Sequence, residues 1–129
     1  AFGINISSGT IEGYAAGGDG FDANGTLTIT GGDISVGTVS TADNQPLDAD
    51  GRITISGGTV LAAGGSAGMG FSISASQPYV TFGGGRDSSL SLAGGAAFSI
   101  ADESGKSVLD STALCDAAFL FYSSPALTA

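Results

Sequence analysis

The chain has no histidine, no tryptophan, one cysteine and only three basic residues among 129. Each shortage removes a class of function. Without histidine there is no Ser–His or Cys–His pair to activate a nucleophile, and the mixed nitrogen and sulfur ligand sets that select zinc or copper are missing. A single thiol rules out an internal disulfide framework. Cys115, beside Leu114, Ala117 and Ala118, reads as a small buried apolar residue, with an intermolecular disulfide or a reactive thiol as the alternatives. Without tryptophan there is no indole platform for a sugar ring. The bases Arg52, Arg86 and Lys106 are scattered and face 12 acids, for a net charge of −9. Such a balance repels nucleic acid and anionic lipid. No long amphipathic helix is visible; the longest helix-compatible stretch is Asp110 to Phe121. No signal peptide or spanning segment is visible either. Ala1-Phe2-Gly3 runs directly into repeated sequence, so the chain reads as beginning in mid-pattern.

What is abundant points to β-structure. The 23 glycines have no collagen period and are mixed with Ile, Val, Thr and Ser, as in an all-β chain with many tight turns. The hydrophobic fraction of 42% suffices for the core of one domain. Ten of the acids are aspartates, which favour turns and oxygen-ligand sites over helix surfaces.

One phrase is written three times: Ile4-Asn5-Ile6-Ser7-Ser8-Gly9-Thr10-Ile11, Leu27-Thr28-Ile29-Thr30-Gly31-Gly32-Asp33-Ile34 and Ile53-Thr54-Ile55-Ser56-Gly57-Gly58-Thr59-Val60, at offsets of 23 and 26 residues. Repeats of that length made of short strands imply a winding chain, each copy stacked on the last. Apolar and polar residues alternate with the period of a half-buried strand. Stacking then predicts inward columns Ile4/Leu27/Ile53, Ile6/Ile29/Ile55 and Ile11/Ile34/Val60, and outward columns Asn5/Thr28/Thr54 and Ser7/Thr30/Ser56. The competing arrangement is a sandwich of hairpins. It would place Asn-Gly-type turns between neighbouring strands, whereas Asn24-Gly25 recurs as Asp50-Gly51 at the coil offset of 26.

A second phrase is written twice: Gly20-Phe21-Asp22-Ala23-Asn24-Gly25 and Pro46-Leu47-Asp48-Ala49-Asp50-Gly51. Alternation turns Phe21, Ala23, Leu47 and Ala49 inward and sets Asp22 over Asp48 and Asn24 over Asp50 on the opposite face. Asp19 and Asp43 lie in the loops entering these strands. Like charges about 5 Å apart cost roughly 3 kcal/mol at an effective dielectric near 20 and under about 1 kcal/mol in water. A bound cation relieves that repulsion, and oxygen donors without histidine or cysteine select Ca²⁺. The alternative is that these residues form solvated Asx turns. Gly17-Gly18-Asp19-Gly20 suggests the nonapeptide calcium rolls of secreted toxins, but it occurs once and the coil length differs.

The stretch Gly18-Asp19-Gly20-Phe21-Asp22-Ala23-Asn24-Gly25-Thr26-Leu27-Thr28-Ile29-Thr30-Gly31-Gly32 resembles the signature of a family of microbial surface proteins known as carbohydrate-binding domain-containing proteins. Further segments match in order: residues 46–51 with 53–64, Gly65-Ser66-Ala67-Gly68-Met69-Gly70, and Phe121-Tyr122-Ser123-Ser124-Pro125-Ala126-Leu127. The resemblance covers nearly the whole chain. It implies a right-handed parallel β-helix related in fold to pectate lyases, calcium ions held between coils, and an extracellular or cell-surface protein binding cellulose- or pectin-like polysaccharide. Asp19, Asp22, Asn24, Asp48 and Asp50 fall in matching positions, and Asp43 in a variable loop. Family members usually carry further coils upstream and a further strand downstream, so the chain reads as the C-terminal portion of a larger helix.

The predicted fold is therefore all-β: a right-handed parallel β-helix of about three coils over residues 1–72, with a C-terminal antiparallel segment over 73–129 capping one end. In that segment Gln77 to Phe82, Ser89 to Leu92, Phe98 to Ala101, Ser107 to Asp110 and Ala118 to Tyr122 read as strands, with Asp102 to Lys106 as a hairpin loop. No catalytic site is predicted. A calcium-assisted lyase needs a base beside the metal; the coils contain no lysine, and Arg52, the one candidate, reads as a counter-charge. A glycosidase needs two carboxylates across a cleft, whereas Asp22 and Asp48 lie side by side. The predicted partner is polysaccharide, with no nucleic acid and no direct membrane insertion. The alternative is a structural or adhesive module assembling end to end through its coil edges. Ice binding by the threonine columns is a weaker third reading, because Asn5, Ser7 and Ser56 break the regularity. Against the glycan reading, most of the ten Phe and Tyr residues fall at inward phases.

Overall fold

The computed structural model describes residues 2–39, 44–65, 73–83 and 90–127. Among these the chain is all-β, with thirteen strands in several short sheets and no helix. Each copy of the long phrase gives a three-residue strand, a three-residue corner and a six-residue strand. These are β1 (Ile4–Ile6) and β2 (Thr10–Ala15), β4 (Leu27–Ile29) and β5 (Asp33–Thr38), and β7 (Ile53–Ile55) and β8 (Thr59–Gly64). The short companion phrase gives β3 (Phe21–Ala23) and β6 (Leu47–Ala49). Equivalent strands pair in parallel: β1 with β4 and β4 with β7, β2 with β5 and β5 with β8, β3 with β6. The registers match the inward columns read from the sequence, Ile4↔Leu27↔Ile53 and Ile11↔Ile34↔Val60 among them. The two offsets differ because β2 and β3 are joined by residues 16–20, whereas β5 and β6 are joined by residues 39–46. The extra residues fall in the connection, so strand pairing is unchanged.

The corners explain the glycine pairs. Gly9, Gly32 and Gly58 hold φ of 92°, 102° and 82°, a region that side chains disfavour. The residue before each is Ser8, Gly31 and Gly57. A Cβ on Gly31 would overlap the carbonyl oxygen of Ser7, and one on Gly57 that of Thr30. Ser8 has no repeat beneath it among the described residues, so a side chain is accommodated there.

The C-terminal part carries the expected antiparallel strands and departs from the sequence reading in two ways. The parallel stack does not end with the third copy: β9 (Ile73–Ala75) pairs in parallel with β7, Ile53↔Ile73 and Ile55↔Ala75. As expected, the closing strands are antiparallel: β13 (Phe119–Ser123) pairs with β8, and β10 (Tyr79–Gly83) pairs with β13. Thus β10 runs in the same sense as β8 but is displaced by one strand, with β13 wedged between, and this sheet is mixed. Second, of the strand expected at Ser89 to Leu92, Ser89 lies outside the described residues, and residues 90–92 show only an isolated bridge between Leu92 and Ala117. The expected hairpin is present, β11 (Ala97–Ala101) with β12 (Ser107–Thr112). Its loop is held by the Asp102 carboxylate, which accepts from the Ser104 and Lys106 backbone N–H groups at 2.9 and 3.0 Å.

Two cores result. The first lies inside the stacked repeats and holds Leu27, Ile29, Ile34, Leu47, Ile53, Ile55 and Val60, with Phe119 and Phe121 reaching in from β13. The second lies on the other face of the mixed sheet, where Leu61, Ala63, Leu120 and Tyr122 meet Ile100, Ala117 and the buried free Cys115. Strands β8 and β13 are therefore buried on both faces. Gln77 ties the two parts: its side-chain Nε2 donates to the Gly58 carbonyl and to Ser123 Oγ, each at 2.9 Å.

Close stacking at the corners is testable. Gly57→Ala is expected to destabilise the fold by about 1–3 kcal/mol, the usual result of forcing a methyl into packed structure. Ser8→Ala should stay within about 0.5 kcal/mol. Urea midpoints of the two variants give the comparison, and a neutral Gly57→Ala would contradict the stacking described.

Candidate metal centre

Asp22 and Asp48 are the central residues of β3 and β6 and stand opposite one another in the parallel register Phe21↔Leu47, Asp22↔Asp48, Ala23↔Ala49. Their neighbours Ala23 and Leu47 are 1% and 0% exposed, so alternation turns the two aspartates away from the core. Asp22 is exposed and Asp48 half-buried.

Asp19 reaches the pair from the connection preceding β3. One of its carboxylate oxygens accepts the Gln45 backbone N–H at 2.7 Å, and the Gly20 N–H donates to the Gln45 carbonyl at 2.9 Å. These bonds lace the two entering loops together across the repeat boundary. Carboxylate oxygens of Asp19, Asp22 and Asp48 all lie within 4.8 Å of one another.

Asp48 carries the electrostatic signature of the group. Partial burial, then the charges of Asp19 and Asp22, a hydrogen bond with Asp19 and the charge of Asp50 all push its carboxyl above the ordinary aspartate value. Every influence acts in the same direction. The donor set is entirely oxygen and anionic, which suits a hard cation such as Ca²⁺ and not a metal that prefers nitrogen or sulfur.

The remaining residues singled out from the sequence stand differently. Asn24 and Asp50 follow their strands in equivalent turns and are exposed. The Asp50 N–H donates to the Ala23 carbonyl at 2.9 Å, which keeps the turns stacked. Asp50 is outside the three-carboxylate group and acts on it through its charge on Asp48. Asp43 lies outside the described residues. Gln45 was not visible as a participant. It contributes a backbone N–H, which any residue but proline supplies, so side-chain chemistry gives no signal for it. Its Oε1 is buried without a hydrogen-bond partner.

The aromatic residues depart in part from their expected inward phases. Phe119, Phe121 and Tyr122 are buried, but Phe2, Tyr14, Tyr79 and Phe82 are exposed. No protein-family model, curated protein or solved structure matches the chain.

The raised Asp48 value has a defined sign. Its folded value lies above the unfolded one, so its contribution to stability is full below about pH 3.9, the unfolded aspartate value. That contribution is lost as pH rises through the folded value. In chelator, Asp48→Asn is therefore expected to raise the thermal midpoint at pH 7. The gain should not exceed about 1 kcal/mol, because solvent screens a half-exposed group. A lowered midpoint in chelator would show that Asp48 is stabilised by a partner rather than strained by its neighbours.

Proposed function

We propose that this chain is a calcium-stabilised, non-catalytic polysaccharide-binding protein of the cell surface or extracellular space. In this reading the stacked repeats form a right-handed parallel β-helix, and the antiparallel C-terminal strands cover one of its ends. The observation that carries the proposal is the convergence of Asp19, Asp22 and Asp48, with all three carboxylates in mutual reach. Asp19, Asp22 and Asp48 would hold the cation, and Asn24 and Asp50 lie in the adjoining turns. The ion supplies positive charge that offsets the repulsion between consecutive repeats and so couples them.

The polysaccharide part of the reading rests on the sequence resemblance and on the polar character of the outward columns. Cellulose- and pectin-like glycans are the implied ligands. A non-catalytic role is supported by the absence of lysine from the repeats and by the position of Arg52, the one base there, which is exposed and precedes β7. A second reading, an adhesive module that assembles end to end, is favoured by one observation. The strands β1, β2 and β3 are each terminal in their sheets among the described residues, and uncovered strand edges recruit other strands.

Thermal melting tests the ion. Calcium at 100 times its dissociation constant contributes about 2.7 kcal/mol, which moves the midpoint of a domain this size upward by several degrees. Asp22→Ala with Asp48→Ala should abolish that rise, and acidification through the carboxylate range should diminish it. An unchanged midpoint on adding chelator to the wild type would favour solvated turns. Co-sedimentation with cellulose and polygalacturonate tests the ligand. No retention, together with concentration-dependent filaments, would replace the glycan reading with the adhesive one.

A further inference from the structure

The parallel sheet β1-β4-β7-β9 turns one face to the core and the other outward. Its inward residues Leu27, Ile29, Ile53 and Ile55 are fully buried. Outward, Asn5, Thr28, Thr54 and Ser74 stand in one register column. Ser7, Thr30, Ser56 and Ser76 follow in a second, their ladder continued by N–H bonds from Thr30 to Ile6, Ser56 to Ile29 and Ser76 to Ile55 at 2.8, 2.9 and 3.1 Å. Rows of such a sheet repeat about every 4.8 Å. The result is a grid of hydroxyls with one amide, exposed or half-exposed throughout.

The grid is uncharged in a chain of net charge −9. The acids lie on other surfaces: Glu12 and Asp33 on β2 and β5, Asp22 and Asp48 on β3 and β6. Arg52 borders the grid just before β7. The carboxylate group is separated from it by the turns 24–26 and 50–52.

We propose that this face is the glycan-contact surface and that its ligand is a neutral, unbranched polysaccharide, held without participation of the metal ion; the proposal rests on the polysaccharide-binding reading above. Hydroxyl and amide groups can donate to and accept from sugar hydroxyls, and an uncharged face avoids the penalty of desolvating ions on contact. A polyuronate would instead meet a strongly acidic protein with one base at the border of the face. A cation among Asp19, Asp22 and Asp48 lies on the wrong sheet to bridge ligand to this surface, so its part is to stabilise the stack. Each hydroxyl contact contributes little net. Affinity therefore accumulates over rows, and long chains are favoured over short oligosaccharides.

The test is retention on amorphous cellulose and on polygalacturonate, with calcium or with EDTA, well below the melting midpoint. The expected result is retention on cellulose that EDTA leaves unchanged, and none on polygalacturonate. Thr30→Asp with Ser56→Asp should weaken cellulose retention by about tenfold or more, as loss of two hydrogen-bonding rows implies, with an unchanged circular dichroism spectrum. If that pair does not fold, Thr30→Ala with Ser56→Ala provides the same test with a smaller loss. Wild-type retention by a folded face variant would overturn the assignment of the surface. Calcium-dependent retention on polygalacturonate, lost in Asp22→Ala with Asp48→Ala, would overturn the neutral-ligand assignment while leaving polysaccharide binding standing. Retention on neither glycan would remove both.

Discussion

Parallel register is the constraint on which the rest of this structure depends. Side chains alternate along a strand, so a slip of one residue would send every buried isoleucine outward and every threonine inward. The corners protect against this. Each joins two strands through the same three-residue step, and the glycine carbonyl closing each corner accepts the N–H that opens the long strand of the next copy: Asp33 N–H to the Gly9 carbonyl at 2.8 Å, Thr59 N–H to the Gly32 carbonyl at 2.9 Å. Among the three copies of the long phrase, length variation falls in the connection before β6. Chain length changes there while partners in all three parallel ladders stay matched.

The same register produces the acidic group as a consequence. Aligning Phe21 with Leu47 and Ala23 with Ala49 leaves Asp22 facing Asp48, whatever the electrostatic cost. Core burial thus holds like charges together that would otherwise separate. The three sheets built on the repeats differ chemically. One carries hydroxyls, one carries the Asp22–Asp48 carboxylates, and the mixed sheet bears a second apolar core over β8 and β13.

Much of this was legible because the repeats are local and periodic. The inward columns follow from alternation within Leu27-Thr28-Ile29 and Ile53-Thr54-Ile55, and their stacking follows from the offsets. The Asp22–Asp48 juxtaposition needs nothing further. What was not legible has physical causes. Ile73-Ser74-Ala75 joins the stack without the Ser-Gly or Gly-Gly corner that marks the other copies, so it carries no phrase to recognise. The strand Phe119–Ser123 was legible as Ala118 to Tyr122, but its pairing with β8 was not: both its faces are buried, so it shows no alternation, and the pairing links residues far apart in sequence. Leu90-Ser91-Leu92 alternates like a strand, yet Leu92 forms only a single bridge. Gln45 reaches Asp19 through its backbone, which composition does not reveal. The exposure of Tyr79 and Phe82 follows from the place of β10 as the outermost strand of the mixed sheet among the described residues, a position set by the insertion of β13.

The central claim is that stacking places a cation between consecutive repeats. A crystal structure of the protein grown with calcium, with data collected for anomalous scattering, tests it directly. The account predicts an anomalous peak bounded by Asp19, Asp22 and Asp48. A clear map with no peak there, or with the peak only at unrelated surface carboxylates, would contradict it.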